Sequence, residues 1–136
     1  GDELIRTLGF DSATHYQFAH FTDMNREYAD IAADAEREWQ RIDSTYTFTF
    51  YPHVSVGWDN SPRTGSSPVV RNNTPDAFAE ALRKARSYAD SHPDRAPLIT
   101  INSWNEWTET SYLMPCDKFG YGYLEAVKKV FADETR

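Results

Sequence analysis

Apolar positions along this chain change their spacing several times, and each change marks an element. From about Asp23 to Ile42, the residues Met24, Tyr28, Ile31, Ala35, Trp39 and Ile42 recur at intervals of three and four, which places them on one helical face. Thr74-Pro75 offers a capping side chain followed by proline at the first helical position. Phe78, Leu82, Ala85 and Ala89 then form a stripe that His92-Pro93 ends. A last helix follows Gly120-Tyr121-Gly122, with Leu124, Val127, Val130 and Phe131 predicted on its inner side. Short β-branched and aromatic runs stand before these helices: Ser12 to Tyr16, Tyr46 to Tyr51 stopping at Pro52, and Leu98 to Ser103 after Pro97. An acidic, helical-looking stretch directly follows Gly1.

Strand and helix thus alternate three times, the pattern of an α/β fold with parallel strands. The connections are unequal. Helix-to-strand links are short (Asp43 to Thr45, Ser91 to Pro97), whereas strand-to-helix links are long (Pro52 to Asn73, Trp104 to Phe119). Long loops in a compact domain usually carry function, and in parallel βα architecture both lie at the strand C-termini, where sites are built. Three units do not close a barrel, which needs eight and about 250 residues. The expectation is a single partial domain over residues 1–136, comprising three βα units of a (β/α)8 TIM-type barrel. Its open edges would be covered by further chain or by a homo-oligomeric partner.

Composition narrows the function classes. A net charge of −7, without a basic cluster, argues against nucleic-acid or anionic-membrane partners. Seven acids against three bases between Asp23 and Asp43 read as a solvated helix face. No apolar run approaches the roughly 18 to 20 residues of a membrane span. The single cysteine, Cys116, excludes an internal disulfide framework. No secretion signal is read, and the compartment stays open, with a periplasmic or extracellular location favoured over a cytoplasmic one. His15, His20, His53 and His92 lack metal-ligand spacing, so neither metal nor cofactor is expected. His15 and His53, near strand ends, are candidates to face one cleft. Aromatic residues make up 15% of the chain, and Trp58, Trp104 and Trp107 fall in loops, where an indole is either a core plug or a stacking surface.

The chemistry concentrates at Asn102-Ser103-Trp104-Asn105-Glu106-Trp107-Thr108-Glu109, where a buried strand runs out at the end used for catalysis. Glu106 and Glu109, three apart, project to one side of a turn. Two close carboxylates resist simultaneous ionisation, and Trp104 and Trp107 would desolvate one of them, as an acid and a base require. Glycoside cleavage uses such a pair. Asn102 and Asn105 would orient the carboxylates or bind hydroxyls; the bland alternative makes the glutamates caps and the tryptophans rim plugs. In Gly57-Trp58-Asp59-Asn60-Ser61-Pro62-Arg63, Trp58 offers a stacking wall while Asp59, Asn60 and Arg63 suit hydroxyl recognition. Equally, Asp59 to Pro62 is good turn chemistry, with Arg63 bracing the loop through Asp59.

Four strings in order, Leu8-Gly9-Phe10-Asp11-Ser12-Ala13, Gly57 to Arg63, Ile101 to Glu109 and Gly120 to Ala126, resemble the C-terminal part of glycoside hydrolase family 99-like proteins. These include a WbsX-type group described as glycosyltransferases of surface-polysaccharide synthesis. The resemblance implies a (β/α)8 barrel acting with retention on α-mannoside-like or related glycans. It assigns Glu106 as the base that deprotonates the sugar's own 2-hydroxyl and Glu109 as the acid/base at the departing oxygen. The chain departs from the family where Thr110 replaces a frequent glycine and Met114-Pro115-Cys116 replaces an acidic Glu-Pro-Asp stretch. Two alternatives to hydrolysis stand beside it: sugar transfer from an activated donor, and a truncated, non-catalytic fragment that binds glycans.

Overall fold

A computed structural model of the protein describes residues 1–132. The acidic opening stretch is helix α1 (Asp2–Leu8), closed by Gly9 at φ 73°. In that left-handed turn the Gly9 and Phe10 N–H groups reach back to the Arg6 and Ile5 carbonyls. The Asp2 carboxylate accepts from the Thr47 N–H at 2.8 Å, tying α1 to the segment that leads into the second strand.

Strand β1 (Ser12–Thr14) leads to α2 (Tyr28–Thr45), after which β2 (Thr49–Tyr51) and β3 (His53–Ser55) flank Pro52. A single turn, α3 (Ser61–Thr64), lies in the first long loop, before α4 (Pro75–Asp90) and β4 (Thr100–Asn102). The second long loop contains an antiparallel ribbon of β5 (Asn105–Glu106) and β6 (Ser111–Tyr112), joined by a 3₁₀ turn over Trp107–Glu109. Helix α5 (Gly122–Phe131) follows. β1 pairs in parallel with β2, and β3 in parallel with β4.

The chain around Pro52, the start of α2 and the inner face of α5 each have an identifiable physical cause. The second strand stops at Tyr51, before Pro52, as expected, and β3 begins directly after the proline. Proline removes one donor, but its carbonyl accepts from the Thr100 N–H at 3.1 Å, and the chain merely changes neighbour, from β1 before it to β4 after it. α2 begins at Tyr28 rather than Asp23, because the Asp23 carboxylate accepts from the Asn25 N–H and holds a turn there, while Glu27 is extended. On α5 the inner stripe is Tyr123, Ala126 and Val130; Leu124 and Val127 are half-buried and Phe131 is exposed. Tyr123 sets that rotation: its ring packs edge-on against Phe78 and Phe119, and its hydroxyl donates to the Asn73 carbonyl.

The predicted stripe of α2 is buried throughout, including Met24 ahead of the helix. α4 packs against α2 on one side and α5 on the other, with Trp39, Phe50, Val54, Phe78 and Leu82 sealed between helices and strands. Each such side chain contributes roughly 1.5–3 kcal/mol through removal from water. Thr74 caps α4 as expected, its hydroxyl accepting from the Ala77 N–H, with Pro75 at the first helical position. Among the described residues no helix is long and apolar enough to cross a membrane.

Candidate functional site

Parallel pairing brings the C-terminal ends of β1, β3 and β4 to one face, where a buried polar latch joins them. Gln17, wholly buried just after β1, donates from Nε2 to the Gly57 carbonyl (3.3 Å) and to Asn102 Oδ1 (3.4 Å). The Asn102 Nδ2 donates in turn to the Tyr16 carbonyl at 3.1 Å. Ser111 Oγ donates to the Asn102 carbonyl (2.8 Å) and accepts from the Gly57 N–H (3.3 Å). Buried polar atoms of this kind are costly unless paired, so the network fixes the spacing of three strand ends. The peptide between Asn102 and Ser103 is cis.

From this floor the ribbon rises. Ser103 Oγ donates to the Ser111 carbonyl at 2.8 Å and accepts from the Glu106 N–H at 3.1 Å. The two long loops are then stitched together, because the Asp59 N–H donates to the Glu109 carbonyl at 2.8 Å. Their approach needs a glycine: a Cβ on Gly57 would lie 2.5 Å from both the Thr110 carbonyl oxygen and the Asn73 amide. Thr110 itself sits at φ 52°, ψ 39°, a left-handed conformation that a β-branched residue seldom adopts. That geometry explains why glycine suits the position.

The 3₁₀ turn presents Glu106 and Glu109 to the same guanidinium. Arg63, carried by α3, donates from Nη2 to Glu106 Oε1 and from Nη1 to Glu109 Oε1, both at 2.9 Å. Thr108 Oγ1 adds a hydrogen bond to Glu106 Oε1 at 2.6 Å. The pair is asymmetric: the Glu106 side chain is 32% exposed and that of Glu109 is 11% exposed. Glu109 Oε2 is buried with no hydrogen-bond partner. Arg63 therefore does not brace Asp59, the bland alternative; Asp59 instead accepts from the Ser61 N–H (2.9 Å) and hydroxyl, starting α3 and aiming Arg63 across the loop.

The other predicted residues divide by exposure. Trp104, Asn105 and Trp107 are exposed, and the Trp107 and Tyr112 ring centroids lie 4.0 Å apart in a tilted stack. Trp58 and Asn60 are half-buried, whereas Asn102 is buried with its amide spent inside the protein. His53 is enclosed between Thr100 and Ser55, with ring nitrogens 3.0 and 2.9 Å from their hydroxyls. Burial chiefly, with His15 and His20 nearby, pushes His53 down to about 3 and keeps it neutral. His15 is half-buried between Phe21 and Phe50, with its Nδ1 unpartnered. Among the described residues no group of three His, Cys, Asp or Glu side chains is placed to hold a metal. Gln17, Ser103 and Ser111 escape sequence reasoning; their only signal is a polar residue beside a strand end or ribbon.

Comparison with known proteins places this geometry in a family. Residues 5–127 match the family model described as Glycosyltransferase WbsX. The chain is 30% identical over 105 residues to a protein called Uncharacterized protein WxcX from two strains of Xanthomonas campestris pv. campestris, B100 and ATCC 33913. That match covers 76% of this chain but 14% of those proteins. The fold is similar to two structures of the GH99 endo-α-mannosidase of Bacteroides thetaiotaomicron, one in complex with bis-tris-propane. Their TM-scores are 0.55 and 0.52 at 23% identity, covering 93% of this chain and 40% and 38% of those chains. Matched over nearly all its length, the chain belongs to the carbohydrate-active WbsX glycosyltransferase family.

Proposed function

We propose that residues 1–136 form three βα units of a (β/α)8 barrel whose mouth cleaves glycosidic bonds in α-mannoside-like or related glycans, using Glu106 and Glu109. The observation that carries this is the shared grip of Arg63 on both carboxylates, with Glu109 the more enclosed. A positive charge stands between two groups that would otherwise repel one another. Glu106 takes the proton of the sugar's 2-hydroxyl, whose oxygen attacks the anomeric carbon. The glycosidic bond breaks as Glu109 gives its proton to the departing oxygen. Water, deprotonated by Glu109, then attacks the anomeric carbon; the bond from that carbon to the 2-oxygen breaks, Glu106 returns its proton to the 2-oxygen, and configuration is retained. Trp58, Trp104 and Trp107 supply ring-stacking surfaces, Asn60 and Asn105 bind hydroxyls, and Asp59 and Asn102 hold Arg63 and the ribbon in place.

The remaining strands come from outside this chain, through a longer polypeptide or a second copy. Two observations support this. Among the described strands, β1 pairs only with β2 and β4 only with β3, leaving both outer edges unpaired. Leu4, Leu8 and Phe10 before β1, and Leu98 before β4, are exposed apolar side chains.

Glu106→Gln and Glu109→Gln test the mechanism in the full-length protein with an aryl α-mannoside. Each is expected to lower turnover by about 10²- to 10⁴-fold while leaving the thermal transition in place. Wild-type rates from either variant would end the carboxylate assignment. The family's own description supports a second reading, transfer to a sugar hydroxyl instead of water. Product appearing only with a nucleotide- or lipid-linked donor and a glycan acceptor would decide for it.

A further inference from the structure

Two side chains hydrogen-bond the Glu106 carboxylate from different elements, and both end on the same oxygen. Arg63 Nη2, carried by α3, donates to Oε1 at 2.9 Å, and Thr108 Oγ1, from the 3₁₀ turn itself, donates to it at 2.6 Å. Among the described residues no group donates to Glu106 Oε2. That atom is not sealed in as Glu109 Oε2 is, and the Glu106 side chain keeps 32% of its surface exposed.

The two donors differ in reach. Arg63 grips both carboxylates, whereas the Thr108 hydroxyl bonds to Glu106 alone. The last torsion of a glutamate has a broad, roughly two-fold energy profile. A single donor on Oε1 leaves the carboxylate plane free to swing about that torsion; two donors from separate directions hold it. The backbone of the residue is pinned as well, since the Glu106 N–H donates to Ser103 Oγ at 3.1 Å. Thr108 is exposed and outside the buried core, so its hydroxyl serves Glu106 and not the packing.

We infer that Thr108 is a positioning residue for the base: it locks Glu106 Oε1 so that Oε2 is the oxygen that takes the proton of the sugar's 2-hydroxyl. The inference rests on the carboxylate mechanism proposed above. The proton passes to Oε2 as the 2-oxygen attacks the anomeric carbon, and returns from Oε2 to the 2-oxygen when water opens the anhydro-sugar. Thr108 neither gains nor loses a proton in either step, and Glu109 acts independently of it.

Thr108→Val, which exchanges the hydroxyl for a methyl of similar size, and Thr108→Ser, which keeps it, test this in the full-length protein with phenyl and dinitrophenyl α-mannosides. Valine is expected to lower kcat by about 10- to 100-fold with KM and Tm unchanged, and serine to restore it. The loss should be similar on both glycosides, because a misdirected base slows attack whichever group departs. A defect in Glu109, the acid, would instead fade with dinitrophenyl, which leaves without a proton. Added to Glu106→Gln, Thr108→Val should cost nothing more, since its effect runs through that carboxylate.

Wild-type kcat in Thr108→Val overturns the assignment. So does a loss that serine fails to restore, that dinitrophenyl erases, or that adds to that of Glu106→Gln. Each of these leaves the carboxylate pair standing if Glu106→Gln alone is inactive. Wild-type rates from Glu106→Gln, or a wild type that cleaves neither glycoside, remove the mechanism and the role of Thr108 with it.

Discussion

Arg63 Nη1 lies 2.9 Å from Glu109 Oε1, joining residues from two different long loops. Its other terminal nitrogen holds Glu106 at the same distance, so one planar cation fixes both carboxylates. Lysine keeps the charge but offers a single nitrogen and no fork. Arg63→Lys is therefore expected to lower kcat/KM by about 10- to 100-fold through misplacement of the pair. Arg63→Met should also destabilise the fold by about 1–2 kcal/mol, since it strips the partner from largely buried Glu109. Steady-state kinetics and urea unfolding check the two effects; wild-type kcat/KM in Arg63→Lys would show that the fork does not matter.

Gly57 is where the strand end passes directly under the second loop. An added Cβ would meet the Thr110 carbonyl oxygen and the Asn73 amide, each at 2.5 Å, so alanine forces the backbone apart. Gly57→Ala is expected to cost about 1–3 kcal/mol, the usual range for overpacking. It should reduce activity as well, because the Asp59 to Glu109 backbone bond spans the same junction. An unchanged urea midpoint would count against this close approach.

Thr110 runs the opposite way. A left-handed backbone costs a non-glycine residue roughly 1–2 kcal/mol, part of which glycine gives back through its freer unfolded chain. Thr110→Gly is expected to stabilise the protein by about 0.5–1 kcal/mol, visible as an increase of a few degrees in Tm. A fall in Tm would mean that the threonine side chain makes contributions outweighing its backbone.

His53 gives a pH dependence with a definite sign. Its folded value, pushed by burial from 6.5 to about 3, lies below that of the unfolded chain, so the unfolded chain takes up the proton first as pH falls. The stability that His53 contributes is complete above about pH 6.5 and is lost progressively toward pH 3. The slope below pH 6.5 is roughly 1.4 kcal/mol per pH unit for one such proton. His53→Gln should remove that share between about pH 6.5 and 5, leaving the contribution of His15, which burial also lowers. Parallel wild-type and variant stability curves would rule out the buried neutral imidazole.

Much of the architecture is legible in the sequence because it is periodic. The α2 stripe from Met24 to Ile42, the Thr74-Pro75 start of α4 and the alternation of strand and helix are written in local spacing, and burial follows spacing wherever one helix face meets a sheet. Pro52 ends β2 as its local chemistry dictates, but that pairing resumes at once in β3, beside β4 instead of β1, is not written locally. The stripe on α5 departs from its local pattern for a related reason. Its rotation is set by Tyr123 reaching Asn73, some fifty residues distant, and no local window contains that contact.

The candidate site divides the same way. Sequence alone determined that two glutamates stand three residues apart after a strand, and that a loop carrying tryptophan and asparagine precedes them. Only tertiary structure decided that Arg63 leaves nearby Asp59 for Glu106 and Glu109, and that Gln17 and Ser111 lock three strand ends at one level. The physical reason is range: turn propensities and helical periodicity act over a few neighbours, whereas ion pairs and buried hydrogen bonds depend on which loops the parallel strands bring together.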